Sequence, residues 1–352
     1  MLPAKEREKN IVTNNLAYID YIRIFAAVMV ILLHSISSFF GNSDNFQTKF
    51  WWFCNFVNEI CRTGVPLFFM ISGYLMLTKS KITDLKSFYK KRIFKILIPF
   101  LIWDIIYYCY FRHINNQKIL DFAFFEALML NGSSYHLWYI YSIMLLYLFI
   151  PFIKMITDKA SLKTQLFFLC LVIFQTTLKP FFNITTGLYL YLAEDGIIGY
   201  LGYMILGNIL GKSEIKKNTR VLIYVLGIMG GAIGIFGNYF YSLKNGYNLI
   251  FNGGYQINHY LFAAALFVFF RYDLPKMGDT INKLTSKLAA STLTVYFVHV
   301  LILEILDDKF MHLSPAISNL SVFLITVFTS FSFAYILENI IIRHFHKIKI
   351  IN

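Results

Sequence analysis

The sequence predicts an all-α fold: a polytopic transmembrane helical bundle of about ten spans with both termini cytoplasmic. Three observations predict it. Hydrophobic residues make up 57% of the 352 and charged residues only 14%, whereas water-soluble domains carry roughly 25% charged residues. Apolar runs close to the roughly 20 residues that a span needs recur along the whole chain. Most of the 32 Lys and Arg residues fall in alternate loops between those runs, as expected when cytoplasmic loops retain basic residues.

The runs lie at 16–40, 51–77, 94–113, 136–156, 164–180, 188–211, 220–242, 256–271, 288–306 and 316–342. The stretch 119–130 is too short to cross and carries Asp121 and Glu126, so it reads as an interfacial or re-entrant helix outside. The inside segments hold Lys5, Arg7 and Lys9, the run from Lys79 to Lys95, Lys154 to Lys163, Lys212 to Arg220, Arg271 to Lys287, and Arg343 to Lys349. Residues 1–15 are then a short cytoplasmic tail, polar for too long to be a signal peptide. Residues 1–352 read as a single integral membrane domain, with no internal repeat and no soluble second domain.

The net charge of +13 raises nucleic acid as a partner, but its alternation between loops assigns it to membrane lipids instead. The segment Lys79 to Lys95 mixes basic residues with Leu85, Phe88, Tyr89 and Phe94, which fits an amphipathic helix on the cytoplasmic leaflet. Orientation and anionic-lipid binding explain it as well as a role in holding a polyanionic cofactor. Cys54, Cys61, Cys109 and Cys170 show neither a CxxC pair nor metal spacing, so no metal site and no disulfide framework is expected. Gly227, Gly230, Gly231, Gly234 and Gly237 sit in one span at small-xxx-small spacings, which let helices approach closely.

Charged side chains inside spans cost a few kcal/mol or more and ask for a partner or a task. Arg23 and His34 share the first span, YIDYIRIFAAVMVILLHS. Eleven steps of a helix make about three turns with about 20° left over, so both emerge on nearly one face, about 16 Å apart in height. Arg23 would lie toward the cytoplasm and His34 in the outer half. Taken alone, His34 is better explained as a structural histidine bonded to a neighbouring helix, and Arg23 as paired with Asp20 one turn away or snorkelling to the headgroups. Glu59 falls at a depth similar to His34 and is placed either to orient its ring or to pair with Arg62.

Arg23 with His34 eleven positions on, TGVPLFFMISGYLML at 63–77, FYKKRIFKILIPF at 88–100, HLWYIYSIMLLYLFIPF at 136–152 and STLTVYFVHVLILEIL at 291–306 together resemble, in order, the acyltransferase-3 family of ten-span membrane acyltransferases. The fourth segment is most similar to the surface-polysaccharide O-acetyltransferase branch, of the enterobacterial common antigen type. The resemblance implies a cell-membrane enzyme of the acyltransferase class. It would move an acyl group, acetyl in the first instance, from cytoplasmic acyl-CoA to a hydroxyl of a cell-surface or lipid-linked glycan. His34 would be the catalytic base, with Arg23 an essential companion on the donor side and Glu59 beside it in the site. Acyl-CoA, acetyl-CoA foremost, would be the donor, bound by Arg23, Lys91, Arg92 and Lys95. The family pattern has Arg where Lys95 stands, and Lys supplies charge without a bidentate fork.

His299, in the outer half of the ninth span, matches a family histidine, and a packing or hydrogen-bonding role is favoured for it over catalysis. His136 and Trp138 sit at the outer interface, where an aromatic belt is expected. Glu194 and Asp195 lie outside, near where an acceptor would approach. Because many family members carry an extra soluble domain, a separate extracytoplasmic partner protein is one way the transfer would be completed. The rival class is a polysaccharide or lipid-linked-sugar transporter, against which stands the lack of paired inverted repeats. The charge alternation makes a direct prediction. With the four native cysteines replaced, Arg7→Cys and Lys347→Cys should both resist a membrane-impermeant thiol reagent in intact cells, and labelling of either from outside would break the orientation.

Overall fold

The computed structural model describes residues 16–338 apart from 81, 119–122, 131, 187–194, 276 and 311. These residues form helices and turns, with no strand among them. In chain order the helices are α1 (Ala17–Gly41), α2 (Lys49–Cys61), α3 (Gly64–Gly73), α4 (Leu85–Arg92), α5 (Ile98–Ile114), α6 (Ala123–Leu130) and α7 (Trp138–Lys159). They continue with α8 (Leu162–Thr186), α9 (Asp195–Lys212), α10 (Lys217–Asn245), α11 (Ile257–Tyr272), α12 (Asp279–Ala290), α13 (Thr292–Phe310) and α14 (Pro315–Ile336). Helix is the expected answer, since a backbone in lipid must satisfy its own N–H and C=O groups.

Among the described residues, seven helical segments are long and apolar enough to cross a membrane: Ala17–Gly41, Lys49–Lys79, Leu85–Ile114, Tyr135–Lys159, Leu162–Lys179, Lys217–Asn245 and Pro315–Ile336. An eighth candidate is the pair Asp279–Ala290 and Thr292–Asp307, bent by 62°. The bend falls at Ser291 and Thr292, whose hydroxyls donate back to the carbonyls of Lys287 and Ala289, a local competition that commonly bends helices. Of the remaining expected spans, 188–211 begins outside the described residues and continues as α9, while 256–271 is α11, only 16 residues long. Both termini lie outside the described residues. The stretch 119–130, expected as an interfacial or re-entrant helix, is over its described part the helix α6.

The basic stretch differs from its expectation. It is no separate surface helix: α4 runs through a π-helical turn, Ile93–Leu97, into α5, and Leu85–Ile114 is one candidate span of 30 residues. Asp84 caps its start, accepting the amides of Lys86 at 3.2 Å and Ser87 at 2.7 Å. Pro99 explains the wide turn, because it has no N–H for the carbonyl four residues back, and the helix loosens there instead of breaking.

The chain forms two compact units, one of residues up to Phe68 with those from Glu214 on, the other Phe69–Ser213. In the first, Ala27 and Ile31 of α1, Val295 of α13 and Ala334 of α14 make one core cluster, with Phe68, Phe323, Val327 and Phe331 around it. A second cluster gathers Ile36, Phe40, Trp51 and Cys54. There the Trp51 indole donates to the Tyr247 hydroxyl at 3.2 Å, and that hydroxyl bonds the Phe40 carbonyl. The glycines of α10 are used for close approach, as their spacing implies: a side chain at Gly230 would come within 2.6 Å of the Asn258 carbonyl. The outward faces are apolar at helical spacing. On α14, Leu320, Leu324 and Phe328 are exposed, the last at 74%, as a lipid-facing stripe should be.

In the second unit, Phe69 stacks on Tyr200 at 4.4 Å and meets Tyr139 edge-on at 5.1 Å. Here α3 and α9 touch backbone to backbone. A Cβ at Gly73 would fall on the Met204 carbonyl, and one at Gly207 on the Met70 carbonyl. Without a hydrophobic force between helices in lipid, such small-residue contacts are what hold them together. Gly207→Ala should therefore destabilise the detergent-solubilised protein by about 1–3 kcal/mol. Gly196→Ala, where a Cβ meets nothing within 4 Å, should not; equal melting temperatures for the two variants would refute the contact.

Candidate functional site

In the first unit, α1 carries Arg23 and His34. Arg23 donates to Asp20 at 2.9 Å, and both side chains are partly exposed. The pairing with Asp20 is thus the one the structure contains. His34 lies eleven positions along the same helix and is partly exposed. Its ring faces that of His299 on α13, 5.5 Å away between centroids and tilted by 35°. His299 itself is fully buried, and its Nδ1 lies 2.6 Å from the Tyr296 carbonyl.

Glu59 is also fully buried, at 1% exposure, and the partners of its carboxylate lie on α11. Its carboxylate accepts from the Asn258 amide at 3.1 Å and stands 3.7 Å from Nε2 of His259, both on α11. The Arg62 charge also acts on Glu59. Arg62 donates to Asn58 at 3.2 Å and to the Asn252 carbonyl at 2.8 Å. Asn252 in turn accepts from Asn58 at 3.2 Å and from Asn238 at 2.8 Å. The result is a buried polar layer joining α2, α10, α11 and the loop before α11. Buried polar groups without partners cost roughly 1–3 kcal/mol each, which is why they gather.

His259, Asn58, Asn238, Asn252 and Asn258 were not picked out as functional from the sequence. The signal was present as polar residues inside apolar runs: Asn58, Glu59 and Arg62 on one turn, and Asn258 with His259 where another span begins.

In the second unit, the donor residues expected at 91–95 divide by burial. Arg92 turns inward, its guanidinium 4.7 Å from the Phe88 ring centroid and 5.6 Å from that of Tyr147, with Nη2 on the Met76 sulfur at 2.8 Å. Its Nε is buried with no hydrogen-bond partner. Lys91 and Lys95 are exposed, four apart along the helix. A guanidinium set against two rings beside two exposed ammonium groups suits polyanion binding, one positioned fork and two point charges.

His136 is buried, 3.0 Å from the Ser134 hydroxyl and 5.1 Å from the Tyr107 ring centroid. Trp138 stacks on Tyr200 at 5.4 Å. Asp104, which the sequence reading passed over, is fully buried and accepts the Ser133 amide at 2.6 Å. Glu194 lies outside the described residues, as does the side chain of Asp195. Among the described residues no group of three or more His, Cys, Asp or Glu is arranged to hold a metal ion.

The family model described as an acyltransferase domain, that of the acyltransferase-3 family, matches residues 16–339. The chain belongs to the acyltransferase-3 family. Two curated proteins of Enterococcus faecalis, each named amino-acid racemase, are similar to parts of this acyltransferase-3 chain. One is 31% identical over 137 residues, 36% of this chain, and the other 30% identical over 132 residues, 34% of this chain. The chain spans only 17% of the length of those curated relatives. No solved structure matches it.

The polar layer makes a separable prediction. A side chain at Gly234 would fall on the Glu59 carboxylate, whereas one at Gly231 would meet only the Phe262 ring at 3.9 Å. Since Ala is favoured over Gly in a helix by about 1 kcal/mol, Gly231→Ala should be neutral or stabilising and Gly234→Ala destabilising. In a Glu59→Ala background the Gly234→Ala penalty should shrink. A penalty unchanged by removal of Glu59 in thermal unfolding would show that the contact is not responsible.

Proposed function

We propose that this acyltransferase-3 protein is a membrane O-acyltransferase. It moves an acyl group, acetyl foremost, from cytoplasmic acyl-CoA to a hydroxyl of a cell-surface or lipid-linked glycan. It does so in a bacterial cell membrane, as a bundle of about ten spans with both termini inside. Within the family we assign it to the surface-polysaccharide O-acetyltransferase branch. The observation that carries the reading is the family match over 16–339, within which the Arg23 and His34 pair occurs on a single helix face.

The chemistry asks for a base, since a sugar hydroxyl is a poor nucleophile until its proton has somewhere to go, and an imidazole suits that work near neutral pH. In this reading His34 accepts the hydroxyl proton as oxygen attacks the thioester carbonyl. The carbon–sulfur bond then breaks, and the proton goes to the departing CoA thiolate. His34 is the partly exposed imidazole of its pair, which supports giving it the substrate-facing role. CoA phosphates would be held by Arg92 with Lys91 and Lys95, while Arg23, steadied by Asp20, serves the donor side. A glycan transporter has no comparable support, because the family match favours acyl transfer.

The test is an acyl-transfer assay normalised to folded protein. His34→Ala should lose roughly 10² to 10⁴ in rate while the protein still inserts and accumulates. Arg92→Gln with Lys95→Gln should instead raise the apparent KM for acetyl-CoA. Near wild-type surface O-acetylation by His34→Ala at equal abundance would sink the mechanism, and an unchanged donor KM would return the basic stretch to lipid binding.

A further inference from the structure

We propose that His299 is the positioning residue of His34: its ring is placed to accept a hydrogen bond from His34 and so to fix the tautomer in which the other His34 nitrogen is free to act as base. The inference rests on the reading of His34 as the base. It begins with the seam between α1 and α13. Ala27 and Ile31 of α1 pack with Val295 of α13 in one buried cluster. His34 lies one turn beyond Ile31 on the same face, and His299 one turn beyond Val295. The two imidazoles therefore form the next rung of a packed helix pair, and their approach is set by the core beneath them.

The polarity of that rung follows from one contact. Nδ1 of His299 lies 2.6 Å from the Tyr296 carbonyl one turn back. A carbonyl only accepts, so Nδ1 carries the hydrogen and donates it. In a neutral imidazole the other nitrogen, Nε2, must then be the acceptor. The rings stand 5.5 Å apart between centroids, tilted by 35°, and Nε2 of His299 is buried, so a small turn of the His34 ring would bring a donor to it. An acceptor held there orders His34 as a second carbonyl or carboxylate orders a working histidine elsewhere.

Burial divides the labour: His299 is fully enclosed, whereas His34 is partly exposed. Only His34 is available to a substrate. His299 therefore acts through it, and its loss should change rate more than affinity. The Tyr296 side chain lies against the same ring, 5.8 Å from it between centroids, and completes the wall that keeps His299 from turning away.

Two measurements on the purified full-length protein decide this. Ring-¹⁵N NMR of histidine-labelled protein should show His34 in a single tautomer, and in His299→Phe a mixture. In acetyl-CoA turnover with an envelope glycolipid extract as acceptor, His299→Phe should lower kcat by about 10–100-fold at unchanged acetyl-CoA KM. His299→Gln, whose amide oxygen can still accept, should recover part of that loss. A single His34 tautomer surviving in His299→Phe, or a kcat within threefold of wild type per folded molecule, would overturn the proposal. If His299→Phe fails to fold, His299→Gln carries both measurements, and mixed tautomers with no retained rate would count against it. Absence of turnover in the wild type would defeat the acyltransferase reading, and the tautomer measurement would still decide the role of His299.

Discussion

Lipid offers no hydrogen bonds, and a polar group that this chain takes into the membrane is costly unless the chain itself supplies a partner. For the backbone that constraint gives helices throughout the described residues. For side chains it gathers the polar groups of α2, α10 and α11 into one layer, in which Arg62 is held by Asn58 and the Asn252 carbonyl and Glu59 meets Asn258 and His259. The same rule shapes irregular places. The Pro99 helix relaxes into a π turn at Ile93–Leu97, and α12 meets α13 at an angle where Ser291 and Thr292 bond back to their own helix.

Because lipid is as apolar as leucine, burying leucine does not drive helices together, and contact geometry has to do it. Glycine is the means. Gly73 and Gly207 let α3 and α9 meet at the main chain, and Gly230 lets α10 reach the Asn258 carbonyl. Gly234 adds a link between packing and polarity: the missing side chain is the space that the Glu59 carboxylate occupies. A stripe of small residues thus becomes part of a buried acidic group's environment, and the helix contact and the polar layer depend on each other.

The histidine pair shows how a core can set chemistry. Ala27, Ile31 and Val295 contain no reactive group, yet their packing brings two imidazoles from distant parts of the chain to adjacent positions. The cluster around Arg92 is built differently, from a cation set against the Phe88 and Tyr147 rings with exposed Lys91 beside it and Lys95 one turn on. One arrangement orients a ring, and the other presents charge.

By itself the sequence determined the class of fold, because composition and the length of apolar runs respond to the solvent alone. It also determined the helix on which Arg23 and His34 share a face, the pairing with Asp20 as one of two options, and the use of the α10 glycines for packing, all of which follow from helical periodicity within one segment. Family membership was legible in the order of five short segments. Partners across segments were not. That Glu59 meets His259 and Asn258, that Arg62 bonds Asn252, and that the ring beside His34 is His299 depend on which helices adjoin and how they are rotated. The continuation of the basic stretch into the third span was decided the same way, by a π turn that absorbs Pro99. Periodicity fixes the faces of a helix. Only the packing of whole helices decides which faces meet, because in a membrane that choice rests on small-residue contacts and hydrogen bonds between segments far apart in sequence.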